Sequence, residues 1–276
     1  MKLFNKVAII GTGLIGGSLA LDIKKKKLAS SVVGVSRRKI SLAKAKKMGA
    51  IDTGSRSLSV IRGADLVVFA TPVSSILSLA PKISKIIDKK CVVIDVGSTK
   101  EEIVSRLSRL FPGYVGTHPL AGSEKRSVNN AKAGLFKGSL CILTPTARTD
   151  KKALNKVVKL WLSLGAKTVD LQPSEHDLAL SFVSHLPHVA AFSLMNSVPK
   201  EFMSFGSGGL KDTTRIAASD SGIWADIFLS NSANIIKASN VLNKNISLIK
   251  AAIANKNRKK LVKILAAAQA KREKLG

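Results

Sequence analysis

Short apolar runs punctuate the first 171 residues at regular intervals: "KVAIIG", "SVVGVS", "DLVVFATP", "CVVIDVG", "YVGTHPLAG", "SLCILTP" and "AKTVDL". They are rich in Val and Ile, bounded by Gly, Pro or Asp, and too short for buried helices, so they predict strands covered on both faces. Stretches with apolar residues at helical spacing separate them, and alternation of this kind predicts a doubly wound, parallel α/β sheet. After Pro173 the strand signal stops. "HDLALSFVSHLPHVAAFSLMNSV", "SANIIKASNVLNKNISLIKAAI" and "KKLVKILAAAQAKREKL" carry apolar residues at helical spacing, which predicts an all-α second domain. The expected division is residues 1–172 and residues 173–276.

The first strand runs into Gly11, Gly13 and Gly16, a G-x-G-x-x-G between strand and helix. The first glycine permits the tight turn, the second lets a pyrophosphate approach the backbone, and the third lets helix and strand pack closely. Leu14 and Ile15 open the helix, whose N-terminal N–H groups face the phosphates. A Rossmann-type dinucleotide-binding domain follows as the expectation, with Thr71 and Pro72 at the end of "DLVVFATP" as further cofactor contacts. Where the second strand of such a domain usually ends in an acid that bonds the ribose 2′-hydroxyl, this one ends in Ser36, Arg37 and Arg38. Two guanidinium groups favour a 2′-phosphate, so NADP is expected in preference to NAD. A solvated arginine loop is the alternative reading.

Composition changes the picture little. The formal charge of +28 would suit an anionic partner, but the lysines are spread over many segments and aromatic residues make up only 4%, which disfavours nucleic-acid binding. Cys91 and Cys141 sit in apolar runs and read as structural thiols of a reducing compartment. No continuous apolar run reaches the length of a spanning helix, and no signal-peptide pattern is visible. A cytoplasmic protein with no membrane partner is expected.

Four histidines carry the candidate chemistry. His118, in "GTHPLAGSE", follows a short apolar segment and is expected in a turn fixed by glycine and proline, where an imidazole can take a proton near neutrality. His185 and His188, three apart in "SHLPH", are expected as neighbours on one helix face. His176 would lie half a turn round the same helix if it is continuous. No further ligand accompanies these residues in sequence, so no metal site is expected. The polar island "GSGGLKDTTRIAASDSGIWADIF" reads either as a shaped site in which Arg215 clamps a carboxylate or as a capped helix start with a surface ion pair.

Seven segments in order, "GTGLIGGSLA", "VGVSRR", "DLVVFATP", "VIDVGSTK", "GTHPLAGSE", "HDLALSFVSHLPH" and "GGLKDTTRIAASDSGIW", resemble the prephenate and arogenate dehydrogenases of tyrosine biosynthesis. The resemblance spans nearly the whole chain. It implies a dinucleotide-binding domain, a helical domain that forms a homodimer, and oxidative decarboxylation of a cyclohexadienol. It makes His118 the acceptor of the ring-hydroxyl proton and Ser98 the hydroxyl sharing that contact. His185, His188 and Arg215 become side-chain and carboxylate contacts, and Gly208, Glu124, Asp212 and Trp224 supporting residues of the pocket. Many members carry an acid where Ser36, Arg37 and Arg38 stand and use NAD, and no acid obviously awaits the amine of arogenate, so cofactor and substrate both stay open. Residues 251–276 read as a basic helix, without the added regulatory domain some relatives carry. Two rivals remain: a hydroxyacid-type dehydrogenase, for which Lys211 is the only candidate catalytic lysine in a polar island, and a nucleotide-sensing or nucleic-acid-binding protein, supported only by charge.

Overall fold

The computed structural model describes residues 2–121 and 128–275. Its first part is one eight-stranded sheet: β1 (Phe4–Ile10), β2 (Ala29–Val35), β3 (Thr53–Ser55), β4 (Leu66–Phe69), β5 (Val92–Asp95), β6 (Tyr114–Pro119), β7 (Leu140–Thr144) and β8 (Lys167–Asp170). The spatial order is β3-β2-β1-β4-β5-β6-β7-β8. Helices α1 (Leu14–Lys25), α2 (Lys39–Lys47), α3 (Val73–Ile83), α4 (Glu101–Leu110) and α5 (Lys151–Ser163) join the strands. The reversal at β1, with β2 on one side and β4 on the other, is the switch point where such sheets open a crevice.

The strands are apolar on both faces because both are covered. Along β1, Val7 and Ile9 pack into a layer with Leu19, Ile23, Val157, Leu160 and Trp161, whereas Ala8 and Ile10 pack into the opposite layer with Ile76, Ile83, Ile103 and Leu107. Each fully buried aliphatic side chain contributes about 1.5–3 kcal/mol, so these two layers carry most of the fold's stabilisation.

Three features depart from the sequence expectation. The sheet is not wholly parallel: β7 runs antiparallel to β6, with His118 opposite Ile142. An antiparallel strand on a parallel sheet is a common variation, and one that run-by-run hydrophobicity does not signal. Strand β3 carries no hydrophobic signal, since its three residues, Thr-Gly-Ser, are polar and only partly covered. And His118 lies within β6, not on a turn, because Gly116 and Pro119 are both accommodated in the strand.

From Pro173 the chain is helical: α6 (Pro173–Leu180), a π turn (Ser181–His185), α7 (Leu186–Ser197), α8 (Gly208–Thr214), α9 (Ser221–Ser230), α10 (Ser232–Ala254) and α11 (Arg258–Glu273). A capping box opens α6, with Gln172 and Glu175 exchanging side-chain and backbone hydrogen bonds and Pro173 in the first turn. The continuous run Pro173–Ser197 is long and apolar enough, at a mean hydropathy of 1.4, to cross a membrane by composition alone. Yet His176, Asp177, Ser181 and His185 on it are all buried, the mark of a helix that builds a polar site.

Candidate functional site

The glycine loop has the geometry its sequence predicts. Gly11 adopts φ +101°, and a side chain there would strike the Ala70 carbonyl; one at Gly16 would strike the Gly11 carbonyl. At Gly13, the N-cap of α1, a side chain would meet nothing within 4 Å. Two glycines are thus required for close packing and the third leaves its backbone open. No side chain caps α1 and no acid stands in its first turn, so its N–H groups and partial positive charge remain available to an anion. The hydroxyls of Thr12 and Thr71 beside the loop are buried with no hydrogen-bond partner among the described residues. Open backbone and orphaned hydroxyls together fit a dinucleotide pyrophosphate. Leu14 and Ile15 begin α1, and Thr71 and Pro72 lead into α3, with Pro72 as its N-cap. Ser36, Arg37 and Arg38 leave the end of β2 next to this loop, since Gly11 donates its N–H to the Val35 carbonyl at 2.8 Å. Both arginines are exposed.

Ser98 and His118 leave the same end of adjacent parallel strands, β5 and β6, paired through Asp95 and Gly116. Asp95 shapes the turn before Ser98: its carboxylate accepts the Gly97 N–H at 2.9 Å and the Tyr114 hydroxyl at 2.7 Å, and it pairs with Lys100, which is fully buried. His118 Nδ1 lies 2.8 Å from His176 Nε2, and His176 Nδ1 lies 2.7 Å from Asp177 Oδ1. Burial first, then the neighbouring His176, Lys100 and His185, hold the His118 imidazole well below its ordinary range. His118 is therefore neutral at physiological pH, the state a proton acceptor needs.

The other two histidines flank Trp224 of α9. His188 stacks on its ring at a centroid distance of 3.4 Å, and His185 meets it edge-on at 6.1 Å. Burial pushes His185 down to about 4, and its Nε2 is buried without a hydrogen-bond partner among the described residues, an atom that an entering polar group would satisfy. Burial and then the charge of Arg215 hold His188 below its usual range, against a hydrogen bond to the Ser184 carbonyl.

The expectation that His176 lies half a turn from His185 fails. Nine residues of α-helix rotate by about 180°, but the π turn between them inserts one extra residue. The offset then acts as eight residues, and both imidazoles are buried at the same site.

Gly208 opens α8, Asp212 and Lys211 are exposed along it, and Arg215 begins the short 3₁₀ turn that follows. Arg215 is exposed in the single chain as well. Glu124 lies outside the described residues. Among the described residues no group of three His, Cys, Asp or Glu side chains could hold a metal ion.

Sequence reading missed how the two halves are joined. Asp226 of α9 accepts from the backbone N–H of Ser74 at 3.2 Å and from its hydroxyl at 2.5 Å, at the start of α3. Thr99 and Ser230 hydroxyls meet at 3.0 Å. Asp177 accepts the backbone N–H groups of Lys100 and Glu101 at 2.7 and 2.9 Å, at the start of α4. The adjacent acid in "EHD" was the available signal for the last, but nothing local identifies its partners.

Comparison with known proteins agrees with this geometry. The prephenate dehydrogenase nucleotide-binding domain profile matches residues 19–170 and the prephenate dehydrogenase dimerization domain profile residues 172–267. The chain is 36% identical over 241 residues to a prephenate dehydrogenase of Bacillus subtilis, covering 83% of this chain and 65% of that protein. Among solved structures, it is similar to the prephenate dehydrogenase of Aquifex aeolicus in complex with hydroxyphenyl propionate and NAD+, at 34% identity, TM-score 0.93, and coverage of 99% and 98% of the two chains. It is also similar to the Synechocystis arogenate dehydrogenase, at 27% identity, TM-score 0.83, and coverage of 98% and 100%.

Proposed function

Because the chain belongs to the prephenate dehydrogenase family, we propose that it oxidises and decarboxylates prephenate or arogenate in tyrosine biosynthesis, giving 4-hydroxyphenylpyruvate or tyrosine. The observation that carries the proposal is His118, a neutral imidazole backed by His176 at the strand ends that also present Ser98 and the glycine loop. In this reading, residues 1–172 bind the dinucleotide through Gly11, Gly13, Leu14, Ile15, Gly16, Thr71 and Pro72, and residues 173–276 supply the substrate contacts.

A bound nicotinamide supplies the hydride acceptor. His118 takes the proton of the ring hydroxyl, Ser98 holds that oxygen, and the electron density left on it expels the hydride. The bond to the ring carboxylate then breaks, carbon dioxide leaves, its electron pair completes the aromatic ring, and the phenolate oxygen recovers the proton from His118. Arg215 holds a substrate carboxylate, with Gly208, Asp212 and Glu124 supporting it, while Trp224, His185 and His188 form the wall. The positive charge at Arg215, felt by His188, supports an anionic substrate.

NADP is the favoured cofactor, since Arg37 and Arg38 stand exposed beside the glycine loop where a 2′-phosphate would lie. Apolar residues exposed on α10, among them Ile236, Val241 and Ile246, support a homodimer through the helical half. Buried free thiols at Cys91 and Cys141 suit a reducing, cytoplasmic setting.

The test is reduced-cofactor absorbance with prephenate or arogenate crossed with NAD or NADP, using the purified chain and His118→Asn. Turnover in at least one combination, cut ~10²–10⁴-fold by the substitution, is expected. Silence in all four overturns the activity, and equal or better use of NAD overturns the cofactor preference.

A further inference from the structure

Resting on the reading of His118 as the base, we propose that His176 and Asp177 are positioning residues that fix His118 in the Nδ1-protonated tautomer, so that its Nε2 lone pair is the one presented to substrate. The inference follows atom by atom. An ionised carboxylate only accepts hydrogen bonds, so the contact of His176 Nδ1 with Asp177 Oδ1 at 2.7 Å places a proton on His176 Nδ1. Burial, with Lys100 adding to it, keeps His176 neutral against the pull of Asp177, which leaves Nε2 as an acceptor. The facing atom, His118 Nδ1 at 2.8 Å, must then donate. A neutral imidazole that donates from Nδ1 keeps its basic lone pair on Nε2.

Asp177 is built to hold this role. It is 1% exposed, and the backbone N–H groups of Lys100 and Glu101 fix both its oxygens at the start of α4. The Asn231 side chain donates to the Asp177 carbonyl at 2.7 Å and lies 3.2 Å from His185 Nδ1, tying the same turn to α10. The charged and titratable groups around the pair are Asp95 at the end of β5, Lys100 just before α4, Cys141 of β7 and His185 of the π turn.

When His118 accepts the substrate proton on Nε2, its Nδ1–H still points at His176, and the resulting imidazolium is stabilised by Asp177 through that ring. The proton itself stays on His118. Asp177→Asn keeps the shape and removes the charge. Asp177 Oδ1 accepts from both His176 Nδ1 and the Lys100 N–H, whereas Oδ2 accepts from the Glu101 N–H, so the single amide oxygen takes the Oδ1 place and His176 keeps its proton on Nδ1. The imidazolium formed on His118 then loses the negative charge that stabilises it, whereas His176→Leu removes the acceptor that fixes the His118 tautomer.

The chain has only four histidines, so ring ¹⁵N spectra of histidine-labelled protein can be assigned with single His→Gln variants. At neutral pH, His118 is expected to show a protonated Nδ1 and a bare Nε2 in the unaltered chain, and a mixture of the two tautomers in His176→Leu. Asp177→Asn should lower kcat ~10²-fold or more while the cofactor KM changes by less than about threefold. His176→Gln, whose amide oxygen can still accept from His118, should retain more activity than His176→Leu. A protonated Nε2 on His118 in the unaltered chain overturns the proposal without any variant having to fold. So does an unchanged His118 tautomer in His176→Leu, or a kcat within about threefold in Asp177→Asn. Undiminished turnover in His118→Asn would instead remove the base reading and leave the tautomer result standing.

Discussion

The sheet half and the helical half solve the problem of stability differently. Around the sheet, large side chains are sealed: Trp161, Phe4, Phe69 and Phe136 are at or near zero exposure. In the helical half α10 buries only Ile235, Ala238 and Ala252 over 23 residues, and α11 buries none. Much of what is deeply placed there is polar: His176, Asp177, Ser181 and His185 are all at 1% exposure or below. The first half is a self-contained core. The second gains order from hydrogen bonds to the first and, in the proposed homodimer, from a second copy.

The sharpest way to break this comparison is Trp161→Ala, which should cost about 3–5 kcal/mol, as for other sealed aromatic side chains, read from urea unfolding. A loss as large from Leu265→Ala, whose side chain is 51% exposed on α11, would erase the distinction at high dilution. Next comes pH. His185 is held at about 4 against an ordinary 6.5, so between these values the unfolded chain binds the extra proton. Stability is then lost as pH falls from 6.5 towards 4, by on the order of 3 kcal/mol. Urea midpoints across that range should slope less in His185→Gln, and identical slopes would show that the burial has no energetic consequence. Third, Ile236→Asp should leave the fold intact, since Ile236 is 61% exposed in the single chain, yet weaken self-association by about 2 kcal/mol or more. Sedimentation of the two proteins at equal micromolar concentration is the check, and unchanged mass would move the interface elsewhere. The smallest effect is at the seam. Asp226→Ala removes two hydrogen bonds to Ser74 and should cost about 1 kcal/mol, appearing as a few-fold rise in cofactor KM, because Ser74 lies two residues after Pro72 in the first turn of α3.

Much of the fold was legible because it depends on local pattern. Valine- and isoleucine-rich runs between Gly and Asp marked seven strands, and the spacing of Gly11, Gly13 and Gly16 announced a turn whose backbone allows no side chain at two of the three. The site was legible in its parts and not in its wiring. His118, His188 and Trp224 could be singled out as residue types. The contacts that organise them span 58 residues between His118 and His176, 77 between Lys100 and Asp177 and 152 between Ser74 and Asp226. No periodicity encodes such distances. The π turn at Ser181–His185 is equally silent in sequence, because its apolar spacing over five residues differs too little from that of an α-helix.

Of the two tryptophans in the chain, one lies in each half. Trp161 is fully buried, edge-on to Phe136 at 5.3 Å, whereas Trp224 shares its face with His188. Protonated imidazole is an efficient quencher of indole emission, so the chain carries two optical reporters with different sensitivities. Trp161 follows the integrity of the sheet, and Trp224 follows the protonation of His188 and the filling of the pocket around it. A single-tryptophan variant, Trp161→Phe, would let the site be watched by fluorescence alone.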